Sequence, residues 1–183
     1  MKFKLIILIL ALQSVWILGT TLVQERALAT GKVILLETAR VDPRDLLRGD
    51  YLILNYEISD VPAKLFAPPV EKNLPAGTKI FIALAPGTNQ FYAVTRASTN
   101  EIAPAANEIV LRGRSEWNRW NRTNSVHITY GIERFYVAEG TGNPTGKLTA
   151  QAVVSASGRA SLKQVFVDGK LYAEAMKESA HRQ

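Results

Sequence analysis

The chain has 183 residues, which favours one folded domain, and its hydrophobic fraction of 47% excludes wholesale disorder. It contains no cysteine, which excludes disulfides and thiolate metal sites, and its two histidines, His127 and His181, leave little material for histidine-based catalysis. The net charge of +6 is modest and is not typical of a nucleic-acid-binding domain, so no nucleic-acid partner is expected.

The N-terminal segment predicts a membrane anchor. Lys2 and Lys4 precede an apolar run over residues 5–23, which is long enough to cross a hydrocarbon core of about 30 Å as a helix. The two lysines favour a cytoplasmic N-terminus, with the remainder of the chain outside the cytoplasm. We therefore predict a single transmembrane anchor over residues 1–26, an extracytoplasmic β-rich domain over residues 27–172 and a polar tail over residues 173–183.

A cleavable signal peptide is the main alternative interpretation of the same segment, and a buried core helix is a third. Residues 27–29 read Ala-Leu-Ala, which matches the small-x-small cleavage pattern with the cut before Thr30. The apolar run ends well before this position, and Glu25 and Arg26 lie between them, which favours the uncleaved anchor. The anchor and the signal peptide both place the following domain outside the cytoplasm.

The chain after the anchor predicts short strands separated by turns. Residues 33–37 form the first predicted strand, and residues 42–49 predict a helical turn with Asp42 as its N-cap and Gly49 as its end. Residues 51–58 then alternate strictly between two faces. One face carries Leu52, Leu54, Tyr56 and Ile58, and the other carries Tyr51, Ile53, Asn55 and Glu57.

The remaining segments predict a mainly β fold. Residues 61–75 hold four of the eight prolines and predict a loop. We expect a small barrel or two-sheet domain of about eight or nine short strands after one N-terminal transmembrane helix. A mixed α+β fold is the alternative if residues 65–74 or the tail are helical. Further strands are predicted over residues 78–84, 91–96, 109–112, 126–130, 134–137, 148–154, 160–167 and 170–172.

One motif resembles a known family. The string G-D-Y-x-x-L-x-Y-x-I is similar to the signature of the GDYXXLXY family of bacterial membrane-anchored proteins of unknown function. Residues 130–137 and 167–169 resemble that family too, although Ala138 stands where we expect proline. The resemblance implies one N-terminal span and a multi-spanning membrane partner, with no activity to transfer. The motif, which we interpret as mainly structural, comprises Asp42, Pro43, Arg44, Asp45, Gly49, Asp50, Tyr51, Leu54, Tyr56 and Ile58.

The carboxylates near the motif allow a second interpretation. Asp42, Asp45 and Asp50 lie close to Arg44 and Arg48, and a carboxylate pair can perform acid–base chemistry or bind a divalent cation. The spacing matches no calcium-binding loop, and helix caps and turn hydrogen bonds account for aspartates at such positions. We therefore predict no metal site and no cofactor.

Two further polar features are candidates for surface contacts. Residues 112–122 combine four arginines with two tryptophans, a pattern suited to anionic lipid or carbohydrate and less to nucleic acid. The structural alternative is a hairpin tip whose tryptophans fold back onto the sheet. His127 lies opposite its apolar neighbours in a predicted strand and is expected at solvent or at an interface. The candidate contact residues are Arg114, Trp117, Arg119 and Trp120.

These observations predict a protein of the bacterial cytoplasmic membrane whose bulk is extracytoplasmic. We expect a non-catalytic accessory or interaction module for a membrane protein, with no catalytic residues. The alternative is an envelope hydrolase or small-ligand-binding protein that uses the carboxylates near Asp50. A loose likeness to signal-peptidase-like hydrolases places Arg96 at the position of the base, but arginine stays protonated and cannot serve as one.

Overall fold

The computed structural model describes residues 2–39, 51–70, 74–116, 124–137, 144 and 146–180. Within these ranges the protein is mainly β, as predicted, with an N-terminal helix and a short C-terminal helix. The helices are α1 (Lys2–Thr30) and α2 (Tyr172–Ala180), and the strands are β1 (Lys32–Glu37), β2 (Tyr51–Ile53), β3 (Asp60–Pro62), β4 (Lys79–Pro86), β5 (Tyr92–Ser98), β6 (Ile109–Ser115), β7 (Ser125–Thr129), β8 (Arg134–Tyr136), β9 (Leu148–Val154), β10 (Ala160–Val167) and β11 (Lys170–Leu171).

The strands form two antiparallel sheets and a two-stranded ribbon, which together make a nearly closed, barrel-like domain. One sheet has the order β1-β9-β10-β11, the other has the order β3-β7-β6-β4-β5, and β2 pairs with β8. The backbone N–H of Arg112 in β6 donates to the carbonyl of Gly158 in the β9–β10 turn, at 2.8 Å, and so joins the two sheets. An isolated bridge from Thr38 to Tyr56 joins the end of β1 to the segment after β2.

The described strands share one apolar core, which lies between the sheets and the ribbon. Alternate residues of each long strand point into it, because successive side chains of a strand point to opposite faces. Burial of this apolar surface is the main favourable contribution to folding. Its largest fully buried side chains are Ile34, Leu36, Leu52, Leu54, Tyr56, Val61, Ile80, Ile82, Leu84, Leu111 and Ile128.

The motif segment keeps the predicted alternation but not the predicted strand length. Ladder hydrogen bonding ends at Ile53, and the chain enters a short 3-10 helix over Glu57–Ser59. Leu52, Leu54 and the next two positions of that face are nevertheless buried, so the face was assigned correctly. The ladder ends where its partner strand begins, because Ile53 lies opposite Arg134, the first residue of β8.

The proline-rich segment was predicted as a loop, but its first residues form β3, which pairs with β7. Pro62 ends this strand at the edge of the five-stranded sheet, where a missing backbone N–H costs least. A 3-10 helix over Ala63–Leu65 follows it. At the other end of the chain, α2 packs on β10 and β11 and buries Tyr172 and Met176, which lie one helical turn apart.

Helix α1 stands apart from this core. Its segment Phe3–Arg26 is long and apolar enough to cross a membrane, and none of it is buried against the rest of the protein. The helix continues through residues 27–29 to Thr30 without interruption. Only Gly31 separates it from the first strand of the β domain.

Candidate functional site

The motif segment, residues 51–58, pairs through its backbone with the segment of residues 130–136. In the ribbon, Tyr51 lies opposite Tyr136, Leu52 opposite Phe135, and the last residue of β2 opposite Arg134. Beyond the ladder, the backbone N–H of Leu54 donates to the carbonyl of Glu133 at 2.7 Å. The two segments that resembled one family in sequence are therefore direct neighbours in the fold.

Two buried tyrosine hydroxyls, one from each segment, add hydrogen bonds to this pairing. The hydroxyl of Tyr56 donates to the carbonyl of Ile132 at 2.6 Å, and the hydroxyl of Tyr130 donates to the carbonyl of Ile58. Both rings are almost fully buried, with exposed fractions of 2% and 7%. Burial, aided by the negative charge of Glu133, raises the pKa of both phenols, so both remain protonated donors. We call these two bonds the tyrosine clasp.

The carboxylate of Glu133 fixes the turn between β7 and β8. It accepts hydrogen bonds from the backbone N–H groups of Tyr130 and of Gly131, the latter at 2.9 Å. Gly131 has φ +82°, a left-handed conformation that glycine adopts without the steric cost of a Cβ. The turn therefore presents the carbonyl of Ile132 to the hydroxyl of Tyr56.

An acidic–histidine pair lies beside the tyrosine clasp, at the edge of the five-stranded sheet. Nδ1 of His127 in β7 lies 2.8 Å from Oδ1 of Asp60 in β3, and the two residues are directly opposite in register. The side chain of His127 is 25% exposed and that of Asp60 is 61% exposed, so solvent screens the pair. Across the described ranges, no three His, Cys, Asp or Glu residues are arranged to hold a metal ion.

A groove of about 530 Å³ opens beside the end of α1. Its lining comes from the β5–β6 loop, the β9–β10 turn, and strands β4, β6 and β9, together with Thr30 at the end of α1 and Lys32 at the start of β1. Apolar side chains dominate the lining, among them Phe81, Ile102 and Val110. We call this feature the juxtamembrane groove.

A charged contact holds the loop that forms one wall of this groove. The carboxylate of Glu108 pairs with the guanidinium of Arg96 at 2.7 Å, and it also accepts from the hydroxyl of Thr95 and the backbone N–H of Ala105. The same guanidinium donates to the carbonyl of Ala103. These hydrogen bonds favour the ionised carboxylate and lower the pKa of Glu108 to about 2, and the bond from Arg96 is the largest cause.

This pKa predicts a loss of stability in acid. The ordinary pKa of glutamate is 4.5 and that of Glu108 in the folded protein is about 2, so between these values the unfolded chain binds the extra proton. The stabilising contribution is complete above pH about 5 and is lost as the pH falls towards 2. We expect Glu108→Gln to flatten the acid dependence of the unfolding midpoint, measured by denaturant titration of the full chain in mild detergent. The matched change Glu101→Gln in the same loop should not flatten it, and equal effects of both would contradict the prediction.

Comparison with known proteins gives one match. The family model described as GDYXXLXY protein matches residues 13–165. The chain belongs to the GDYXXLXY family. Neither the curated proteins nor the solved structures include a significant match to it.

Packing in the apolar core explains three residues of the GDYXXLXY motif. Leu54, Tyr56 and Ile58 are buried, and Tyr56 is one half of the tyrosine clasp. Tyr51 lies on the outer face, where its ring is 5.9 Å from the ring of Tyr136 and 5.2 Å from the guanidinium carbon of Arg134. Six motif residues lie outside the described residues: Asp42, Pro43, Arg44, Asp45, Gly49 and Asp50.

The arginine–tryptophan segment is described only at its start. Arg114 lies at the exposed end of β6, where Nη1 donates to the carbonyl of Gly77 at 3.3 Å. Trp117, Arg119 and Trp120 lie outside the described ranges, so their contact with lipid or carbohydrate stays a prediction. Sequence reasoning missed Asp60 and Glu108, because their partners His127 and Arg96 are specified by strand register and loop geometry and not by a local pattern.

Proposed function

We propose that this GDYXXLXY protein is a membrane-anchored envelope module that serves a membrane protein partner without catalysing a reaction. The observation that carries the proposal is the exposure of α1. The apolar residues of its segment Phe3–Arg26 surround the helix on all sides and pack against no other part of the described chain. A helix that is hydrophobic all round is stable in a bilayer or in a core, and here the core does not cover it.

The proposed orientation places the β domain outside the cytoplasm. Lys2 and Lys4 precede the apolar segment, and positive charge flanking a span favours the cytoplasmic side. The segment is proposed to remain attached as an anchor. In support, α1 runs unbroken through residues 27–29, where a signal peptide would be cleaved.

The hydrogen bonds and burial of the motif side chains support a non-catalytic role. The hydroxyls of Tyr56 and Tyr130 donate to backbone carbonyls, and their raised pKa disfavours the phenolate that a tyrosine base or nucleophile requires. Leu54 supplies apolar volume to the core. We propose that the described part of the motif holds the domain together, and that its outer surfaces contact a multi-spanning membrane protein.

Cysteine labelling tests the orientation with little background, because the natural chain contains no cysteine. Lys163→Cys places one thiol on the exposed side of β10, and Phe3→Cys places one at the start of α1 without removing either lysine. In intact spheroplasts, a membrane-impermeant maleimide should label the first variant and spare the second until the membrane is permeabilised. The reverse pattern, or a mature chain that begins at Thr30, would contradict the anchored orientation.

The accessory role is tested by capture in mild detergent. The full chain should recover one multi-spanning membrane protein in near-stoichiometric amount. A control that fuses α1 to an unrelated soluble domain should not recover it. If both baits recover the same proteins, or neither recovers a membrane protein, the β domain is not an interaction module of the proposed kind.

A further inference from the structure

We propose that the juxtamembrane groove binds the headgroup and glycerol region of a zwitterionic phospholipid with a primary ammonium, phosphatidylethanolamine, from the leaflet in which α1 ends. The inference rests on the proposed membrane anchoring and adds a ligand to it. Three observations lead to it: the level of the groove relative to the bilayer, the charges at the groove, and the apolar walls.

The length of α1 sets the level of the groove. A helix of 29 residues is about 43 Å long, which matches the roughly 40–45 Å of a bilayer with its headgroup layers. Thr30, the last residue of α1, therefore lies near the outer boundary of the headgroups when the helix spans the membrane. Thr30 and Lys32 both line the groove, so the groove lies at the outer boundary of the headgroup layer, within reach of phosphate and ammonium groups.

The charges that line the groove are complementary to a zwitterion. Lys32 and Glu101 both lie in the lining, are exposed, and form no ion pair with each other or with another described side chain. Glu108, the third charged lining residue, is already neutralised by Arg96. A headgroup that carries a phosphate and an ammonium supplies the partner that each unpaired side chain lacks: Lys32 for the phosphate and Glu101 for the ammonium.

The walls and size of the groove suit the part of the lipid next to the headgroup. Phe81, Ile102 and Val110 line it, together with small residues of the β9–β10 turn. A volume of about 530 Å³ lies within the range of small-ligand sites, which holds a glycerol backbone and the start of an acyl chain. The Arg96–Glu108 contact keeps the Ile102 wall in position.

Photolabelling of the full chain in nanodiscs tests the proposal. Phosphatidylcholine nanodiscs carry a trace of phosphatidylethanolamine, or of phosphatidylglycerol, with a diazirine in the acyl chain near the glycerol. After irradiation, we expect the phosphatidylethanolamine probe to label peptides that cover residues 101–110 and 154–158, besides α1. Labelling of these two peptides by the phosphatidylglycerol probe should be lower by roughly fivefold or more, the effect of about one charge contact at a membrane surface.

Charge variants decide whether Lys32 and Glu101 recognise the headgroup. Lys32→Glu should lose most of the groove labelling, whereas Lys163→Glu, the same change on β10 outside the groove, should keep it. The conservative variant Lys32→Arg should keep the labelling, because it retains a cation at the position assigned to the phosphate. Adducts confined to α1, equal labelling by both probes, or loss of groove labelling in Lys32→Arg would each overturn the proposal. Failure of the chain to enter nanodiscs at all would instead contradict the anchor.

Discussion

Replacing Leu54 with alanine is expected to lower the free energy of unfolding by about 3 kcal/mol, within the 2–5 kcal/mol typical of fully buried leucines. Leu54 has no exposed surface, and it packs in the core shared by both sheets and the ribbon. The loss combines the transfer free energy of the deleted methyl groups with the cost of the cavity left behind. Chemical denaturation of the full chain in mild detergent, followed by far-UV circular dichroism, measures it.

The neighbouring change Ile53→Ala is the matched control. Ile53 is the last residue of β2, lies on the outer face of the motif segment and is only partly buried, so its truncation should cost less than half as much. An equal loss of unfolding free energy in both variants would show that Leu54 and Ile53 do not lie on a buried and an outer face. A negligible loss for Leu54→Ala, with partner capture abolished, would contradict the structural role that we propose for the motif.

Removing either hydroxyl of the tyrosine clasp is expected to cause the second large loss of stability. Tyr56→Phe leaves the buried carbonyl of Ile132 without its donor, and Tyr130→Phe does the same to the carbonyl of Ile58. An unsatisfied buried acceptor costs about 1–3 kcal/mol, while the ring itself is preserved. We therefore expect each variant to lower the free energy of unfolding by that amount, in the same denaturation experiment.

The control for the clasp is Tyr136→Phe, which makes the same chemical change on an exposed ring and should alter stability by less than about 0.5 kcal/mol. Both clasp bonds join the same two segments, so the double variant should lose less than the sum of the single losses. Full additivity would indicate that the bonds act independently. A loss as small as that of Tyr136→Phe in both single variants would show that the hydroxyls do not stabilise the fold.

Sequence patterns predicted the parts of the fold that depend on neighbours along the chain. The bounds of β9 and β10 were predicted correctly because both strands flank a turn with glycine at position 158. The Asp168-Gly169 pair predicted the turn before β11, and these residues have φ of +48° and +82°. Both values fit a two-residue hairpin turn with positive φ at its central positions.

The contacts that define the candidate sites could not be predicted in this way. The clasp joins residues 72 and 76 positions apart, and the Asp60–His127 pair joins residues 67 positions apart. Such contacts follow from strand register, which depends on packing of the whole core. The juxtamembrane groove is formed by several segments that are distant along the chain, none of which carries a ligand-binding motif. The aspartates near Asp50 lie outside the described residues and remain candidates from sequence alone.

The central claim is that the described part of the family motif, residues 51–58, forms one structural unit with residues 130–136, and an engineered disulfide tests it most directly. Tyr51 and Tyr136 are opposite partners in β2 and β8, and such partners have Cα atoms about 4.5–5.5 Å apart, which is within the range of a disulfide. In the naturally cysteine-free chain, Tyr51→Cys with Tyr136→Cys should form the disulfide readily under mild oxidation and remain folded. Tyr51→Cys with Phe135→Cys places the second thiol on the opposite face and should not form it. Efficient closure of the second pair, or none of the first, would contradict the pairing of the two segments.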